Sequence, residues 1–353
     1  MKQYLQKENN NFDLLRLILA SMVIYGHAQF LNRGSDDSYT DPLAGLYPHT
    51  SSGDVAVKCF FFLSGLLITN SLRKNPSVIH YLISRIFRIL PPLIFVLMVI
   101  TFLFGPFLSV LPVSQYFSSP ETWGYFIKGS VLKIQYYLPG VFSTMEHNSV
   151  NGSLWTLPIE FRYYLLLLAF FLLTGFKKNW LVNLVLGIVL LESLFGERII
   201  LHSFGDLPIT NLLPVSFFFG VFLGVNAEHI TLDIRYVFGL FILFFLFRDQ
   251  PFGEIVYTFF FCAFAFFFAT LRPLFKLKPP IDISYGVYLW GYFVQQALYY
   301  YFGTISIWLH IFLALGISIV LAIVTHYAVE KPFMKYGKML SGRILGLKRL
   351  FFQ

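Results

Sequence analysis

Arg16 and His27, eleven residues apart in an otherwise apolar run, are the first residues of this chain whose types suit chemistry. An ionisable side chain inside a membrane is costly, and where one occurs it is a functional hypothesis by default. At about 3.6 residues per turn, eleven steps return to within about 20° of the starting direction, so the two residues share one helix face, about 16 Å apart along the axis. Asp13, one turn before Arg16, is spaced to interact with it. A buried imidazole suits proton transfer; a lone histidine also serves as a packing residue, and an arginine near a helix end also snorkels to water.

Two further features carry charge. Arg85 and Arg88 are one turn apart and face the same side, a pairing that suits phosphate oxygens or simple anchoring at the inner interface. Glu160 follows Pro158, a residue suited to a helix's first turn, and expects a depth comparable with His27 on an oppositely running helix. A carboxylate there could orient the imidazole, or pair locally with Arg162.

The elements that must position these residues are membrane spans. Of 353 residues, 57% are apolar and 12% charged, about half the charged fraction of a soluble domain. Ten apolar runs, near 12–31, 54–72, 89–108, 158–175, 179–195, 211–226, 235–248, 254–271, 282–302 and 305–328, consume nearly the whole chain. The expected fold is an all-α, polytopic membrane helical bundle of about ten spans in a single domain, 1–353, with no fused soluble domain. The net charge of +8 lies in short clusters between the runs, which marks topology and not nucleic-acid binding. Arg73, Lys74, Arg85 and Arg88, then Lys177 and Lys178, then Arg272, Lys276 and Lys278 mark cytoplasmic connections. The basic tail 329–353, with Lys331, Lys335, Lys338, Arg343, Lys348 and Arg349, places the C-terminus inside, and an even span count places the N-terminus there too. Arg33 against Asp36, Asp37 and Asp41, and Asp249 with Glu254, mark outward loops.

The longest connection, 109–157, faces outward on this reading, and its length predicts a functional role or short helices of its own. Cys59 and Cys262 lie inside apolar runs and read as buried structural thiols, with no metal site. The first run carries Asp13, Arg16 and His27, which a cleaved leader would avoid, so it reads as the first span.

Together these residues resemble the acyltransferase family 3 membrane proteins, which modify bacterial surface polysaccharides and other acceptors. The resemblance rests on Phe12 to Arg16 with Gly26-His27, on Phe60 to Gly65, on Arg85 to Arg88, on Leu154 to Leu157 with Glu160, Tyr163 and Tyr164, on Ile283 to Trp290, and on Glu330-Lys331-Pro332. Many members have histidine after Tyr-Leu-Trp, whereas Gly291 stands here. The resemblance implies transfer of an acyl group, with acetyl the favourite, from cytoplasmic acyl-CoA to a hydroxyl of an extracytoplasmic or lipid-linked glycan, such as O-antigen or exopolysaccharide. It implies His27 as general base with Glu160, Arg16, Arg85 and Arg88 for the acyl-CoA head, and Trp155 and Tyr163 for substrate. It also implies no permanently bound cofactor, a bacterial inner-membrane location, and lipid and glycan as partners; self-association stays open. The rival reading from the residues is a carrier or flippase for a lipid-linked sugar, which would consume no acyl-CoA.

Overall fold

The computed structural model describes residues 1–32, 41–47, 50–176, 179–195, 212–250 and 252–351, without the side chains of 193–195 and 347–351. Arg33, Asp36, Asp37, Lys177 and Lys178, and the side chains of Lys348 and Arg349, lie outside that description. Among the described residues the regular elements are all helices, with one isolated bridge, Ser109 to Val141, and no strand. The helices are α1 (Phe12–Leu31), α2 (Ser52–Lys74), α3 (Val78–Met98), α4 (Val113–Ser118), α5 (Pro120–Ser130), α6 (Thr156–Thr174), α7 (Asn179–Phe195), α8 (Leu213–Val225), α9 (Ile234–Phe247), α10 (Gly253–Ala269), α11 (Ser284–Phe302), α12 (Ile307–Thr325) and α13 (Lys331–Phe351).

Every predicted run coincides with a helix. Among the described residues, five stretches are long and apolar enough to cross a bilayer: Phe12–Leu31, Ser52–Lys74, Val78–Leu108, Gly152–Thr174 and Ile307–Gly346. The apolar helices Leu213–Val225, Ile234–Phe247 and Gly253–Ala269 have 13, 14 and 17 residues. At about 1.5 Å per residue these rise about 20 to 26 Å, short of a hydrocarbon core of about 30 Å. Two boundaries differ from the sequence reading. Helix α3 starts at Val78 and not at residue 89, because Ser77 caps it by accepting from the His80 amide, so Arg85 and Arg88 stand on its turns and not in a connection. The basic segment after Glu330 is helix α13, joined to α12 through a π-turn over His326–Glu330.

Contacts divide the chain into two compact units. The first holds Met1–Val23, Asp41–Pro76 and Ile159–Asp282. Its core is the close crossing of α2 and α8. A Cβ at Gly65 would collide with the Phe217 carbonyl and one at Gly220 with the Phe62 carbonyl, so only glycine lets these backbones approach so closely. Gly224, one turn beyond Gly220, continues the stripe against Thr69. Cys59 and Cys262 are buried free thiols in this unit.

The second unit holds Ile24–Thr40, Ser77–Pro158 and Ile283–Gln353. Helix α13 packs antiparallel along the start of α3. His80 meets Ser341 at 3.2 Å, and the ring of Phe87 meets those of Phe333 and Tyr336. Helices α11 and α12 meet where Gly286 leaves room for Ala322. The long connection does carry short helices, α4 and α5, pinned where Tyr116 donates to the Thr101 carbonyl at 2.9 Å.

Candidate functional site

His27 lies in the second unit, on the last turns of α1. Its neighbourhood follows from one close approach: α11 carries Gly291 against Ile24, where a Cβ would come within 2.6 Å of Ile24 Cγ1. A side chain there would have to displace Ile24. One residue on, the Tyr292 ring meets the His27 imidazole edge to face, with centroids 5.2 Å apart and planes at 81°. One turn further, Gln295 donates to the Ile24 carbonyl at 2.9 Å. The Nδ1 of His27 is buried and has no hydrogen-bond partner among the described residues.

A segment of the long connection closes over the other side of Tyr292. The Tyr292 and Ser149 hydroxyls are 2.5 Å apart. Gln296 donates to the His147 and Ser149 carbonyls, both at 2.7 Å, and Asn151 donates to the Leu289 carbonyl at 2.8 Å. Phe30, one turn beyond His27, stacks on His147 with centroids 3.8 Å apart. The motif residues interlock around this point: Tyr288 donates to the Ser153 carbonyl and bonds Thr156, and Trp290 donates to Thr325 at 2.9 Å. Trp155 is half-buried in the 3-10 turn that leads into α6.

In the first unit, Glu160 accepts from Ser64 at 2.8 Å and from Tyr164, which binds segments from two motifs together. Tyr163 is buried, with its ring against Phe61 and Phe217. Arg16 sits between two carboxylates, 3.6 Å from Asp13 and 3.3 Å from Asp282. Spacing anticipated Asp13; Asp282 arrives from a segment 266 residues away.

In the second unit, Arg85 and Arg88 are half-buried one turn apart on α3. Arg88 pairs at 2.5 Å with Glu330, whose side chain is only 1% exposed, and the other Glu330 oxygen lies 3.1 Å from His326 Nδ1. Sequence reasoning used Glu330 as a motif residue and missed this pairing. It also missed Lys58, which is buried in α2 between Asp54 at 2.8 Å and Glu254 at 3.1 Å. A lysine inside an apolar run with an aspartate four residues before it was the available signal. No group of three or more His, Cys, Asp or Glu side chains among the described residues is placed to hold a metal ion.

An all-helical membrane protein with buried charge pairs and an imidazole set among aromatic rings is the class that fold and site define. Residues 9–327 match the acyltransferase domain of acyltransferase family 3, and the chain belongs to that family. It is 28% identical over 303 residues to an O-acetyl transferase of Shigella phage Sf6, covering 82% of this chain and 86% of that protein. It is also 30% identical over 172 residues to nodulation protein 10 of Rhizobium leguminosarum bv. viciae, covering 45% of this chain and 43% of that protein. No solved structure matches.

Proposed function

We propose that this acyltransferase moves an acetyl group from cytoplasmic acyl-CoA to a hydroxyl of an extracytoplasmic or lipid-linked glycan, such as O-antigen or exopolysaccharide. The observation that carries the reading is the family match over residues 9–327, and the phage relative, an O-acetyl transferase, supports both the acetyl group and the hydroxyl acceptor. The chain spans a bacterial inner membrane about ten times with both termini inside. That topology rests on the positions of its basic residues, and the shorter helices span with local thinning or tilt of their neighbours.

His27 acts as general base. Its neutral imidazole takes the proton of the acceptor hydroxyl as that oxygen attacks the thioester carbonyl. The C–S bond then breaks, and CoA leaves as a thiolate that receives the proton. Its Nδ1, without a partner among the described residues, supports a ring nitrogen not committed to another group. Arg16, Arg85 and Arg88 bind phosphate oxygens of the acyl-CoA head, a role suited to the several N–H donors of a guanidinium. Glu160 serves transfer from its hydroxyl pair, and Trp155 and Tyr163 line the path of substrate.

The test is release of free CoA from acetyl-CoA, dependent on glycolipid from cells lacking the protein, in membranes with equal amounts of inserted wild type and His27→Ala. The variant is expected to lose transfer. Transfer at the wild-type rate would remove His27 as base. Acceptor-independent wild-type behaviour, with no CoA released, would favour a carrier.

A further inference from the structure

We infer that Tyr292, locked by Ser149, is the positioning residue that fixes the plane of the His27 imidazole. The inference rests on the proposed role of His27. A histidine that moves protons is usually held by a hydrogen bond at its second ring nitrogen, which sets both tautomer and orientation. Here Nδ1 of His27 is buried and makes no such bond among the described residues. Something else must stop the ring from turning about its Cβ–Cγ bond. The neighbour with the right geometry is the Tyr292 ring, at 81° to the imidazole with centroids 5.2 Å apart, an arrangement in which ring edge and ring face attract.

A ring can hold another only if it is itself held. The Tyr292 hydroxyl is 2.5 Å from the Ser149 hydroxyl. Ser149 is fixed in turn, because Gln296, one turn along α11 from Tyr292, donates to its carbonyl at 2.7 Å. The backbone has been cleared for the ring: a Cβ at Gly152 would come within 2.7 Å of Tyr292 Cζ. Gly291 clears the other side by letting α11 approach Ile24, one turn before His27. Two glycines, one hydroxyl pair and one glutamine therefore converge on the placement of a single aromatic ring against the proposed base.

Acceptor-dependent release of CoA from acetyl-CoA, with glycolipid from cells lacking the protein as acceptor probe, is measured for Tyr292→Phe, Ser149→Ala, the double variant and Tyr292→Leu, each normalised to inserted protein. Misplacing a reacting group by about 1 Å costs about 100-fold in rate, the loss expected in kcat for Tyr292→Leu. Tyr292→Phe keeps the ring and loses only the lock, so it and Ser149→Ala should each lose about 10-fold, and the double variant no more than either single one. KM for acetyl-CoA should stay unchanged throughout. Wild-type kcat in Tyr292→Phe and Ser149→Ala, or losses that multiply in the double variant, would overturn the inference. His27→Ala run alongside separates the two readings: an active His27→Ala removes the base, whereas an inactive His27→Ala beside fully active lock variants removes only the positioning role.

Discussion

Replacing Gly291 by alanine should damage catalysis far more than folding. The added methyl would sit 2.6 Å from Ile24 Cγ1 and 2.9 Å from Ile24 Cδ1. Carbon atoms settle at about 3.5 to 4.0 Å, so α1 and α11 must part by about 1 Å unless Ile24 turns aside. It has little room to turn, because Ile24 is 1% exposed and β-branched, and its carbonyl is held by Gln295. Overpacking of this kind costs about 1 to 3 kcal/mol, while alanine in place of glycine within a helix returns about 1 kcal/mol, leaving about 0 to 2 kcal/mol of net destabilisation. His27 stands one turn from the contact and moves with α1, so a shift of about 1 Å should cost about 100-fold in kcat. Thermal unfolding in detergent gives the first quantity and acceptor-dependent CoA release the second. Ile24→Ala in the same chain removes the colliding atoms and should restore part of the rate. Wild-type turnover in Gly291→Ala, or no recovery in the double variant, would refute the claim that this contact sets the position of His27.

Glu330→Gln strips the buried partner from Arg88 and should destabilise by about 3 kcal/mol, the low end for a broken buried pair because Arg88 is 26% exposed. Adding Arg88→Met should recover most of that loss in a thermal-unfolding measurement. Lys58→Met should likewise lower the unfolding temperature, since it leaves the largely buried Asp54 without its cation and beside Glu254, and a full recovery is expected only when both carboxylates are also neutralised. Arg85→Ala should raise KM for acetyl-CoA several-fold with little change in kcat. Glu160→Gln should lower kcat while leaving KM for acetyl-CoA near its wild-type value, because the carboxylate holds two hydroxyls.

What the sequence made legible depended on how local the signal was. Helix α1 has its predicted bounds because no proline breaks the largely apolar run from Phe12 to Leu31. The join of Asp13 to Arg16 followed from a spacing of three residues. Helix α13 was read as a tail because its lysines and arginines mask an apolar stripe, and only its docking on Phe87 reveals the stripe's purpose. Asp282 beside Arg16, Glu330 beside Arg88 and Ser149 beside Tyr292 are separated by 266, 242 and 143 residues, and no periodicity reports such meetings. Glu330 and Tyr292 were in or next to recognised motifs; their partners were not deducible from the motifs themselves.

Those distant carboxylates change what the arginines mean. Read from sequence, Arg16 and Arg88 are positive charges waiting for phosphate. In the folded chain each already faces a carboxylate, Asp282 at 3.3 Å and Glu330 at 2.5 Å. A guanidinium presents five N–H groups in a rigid fork, so contact with a carboxylate fixes its plane. The side-chain entropy of ordering a long arginine is then lost on folding and not on binding an anion. The same carboxylates weaken the field that would draw an anion from a distance. An arginine held this way gains by preorganisation what it gives up in attraction, and it selects an anion by donor geometry more than by charge.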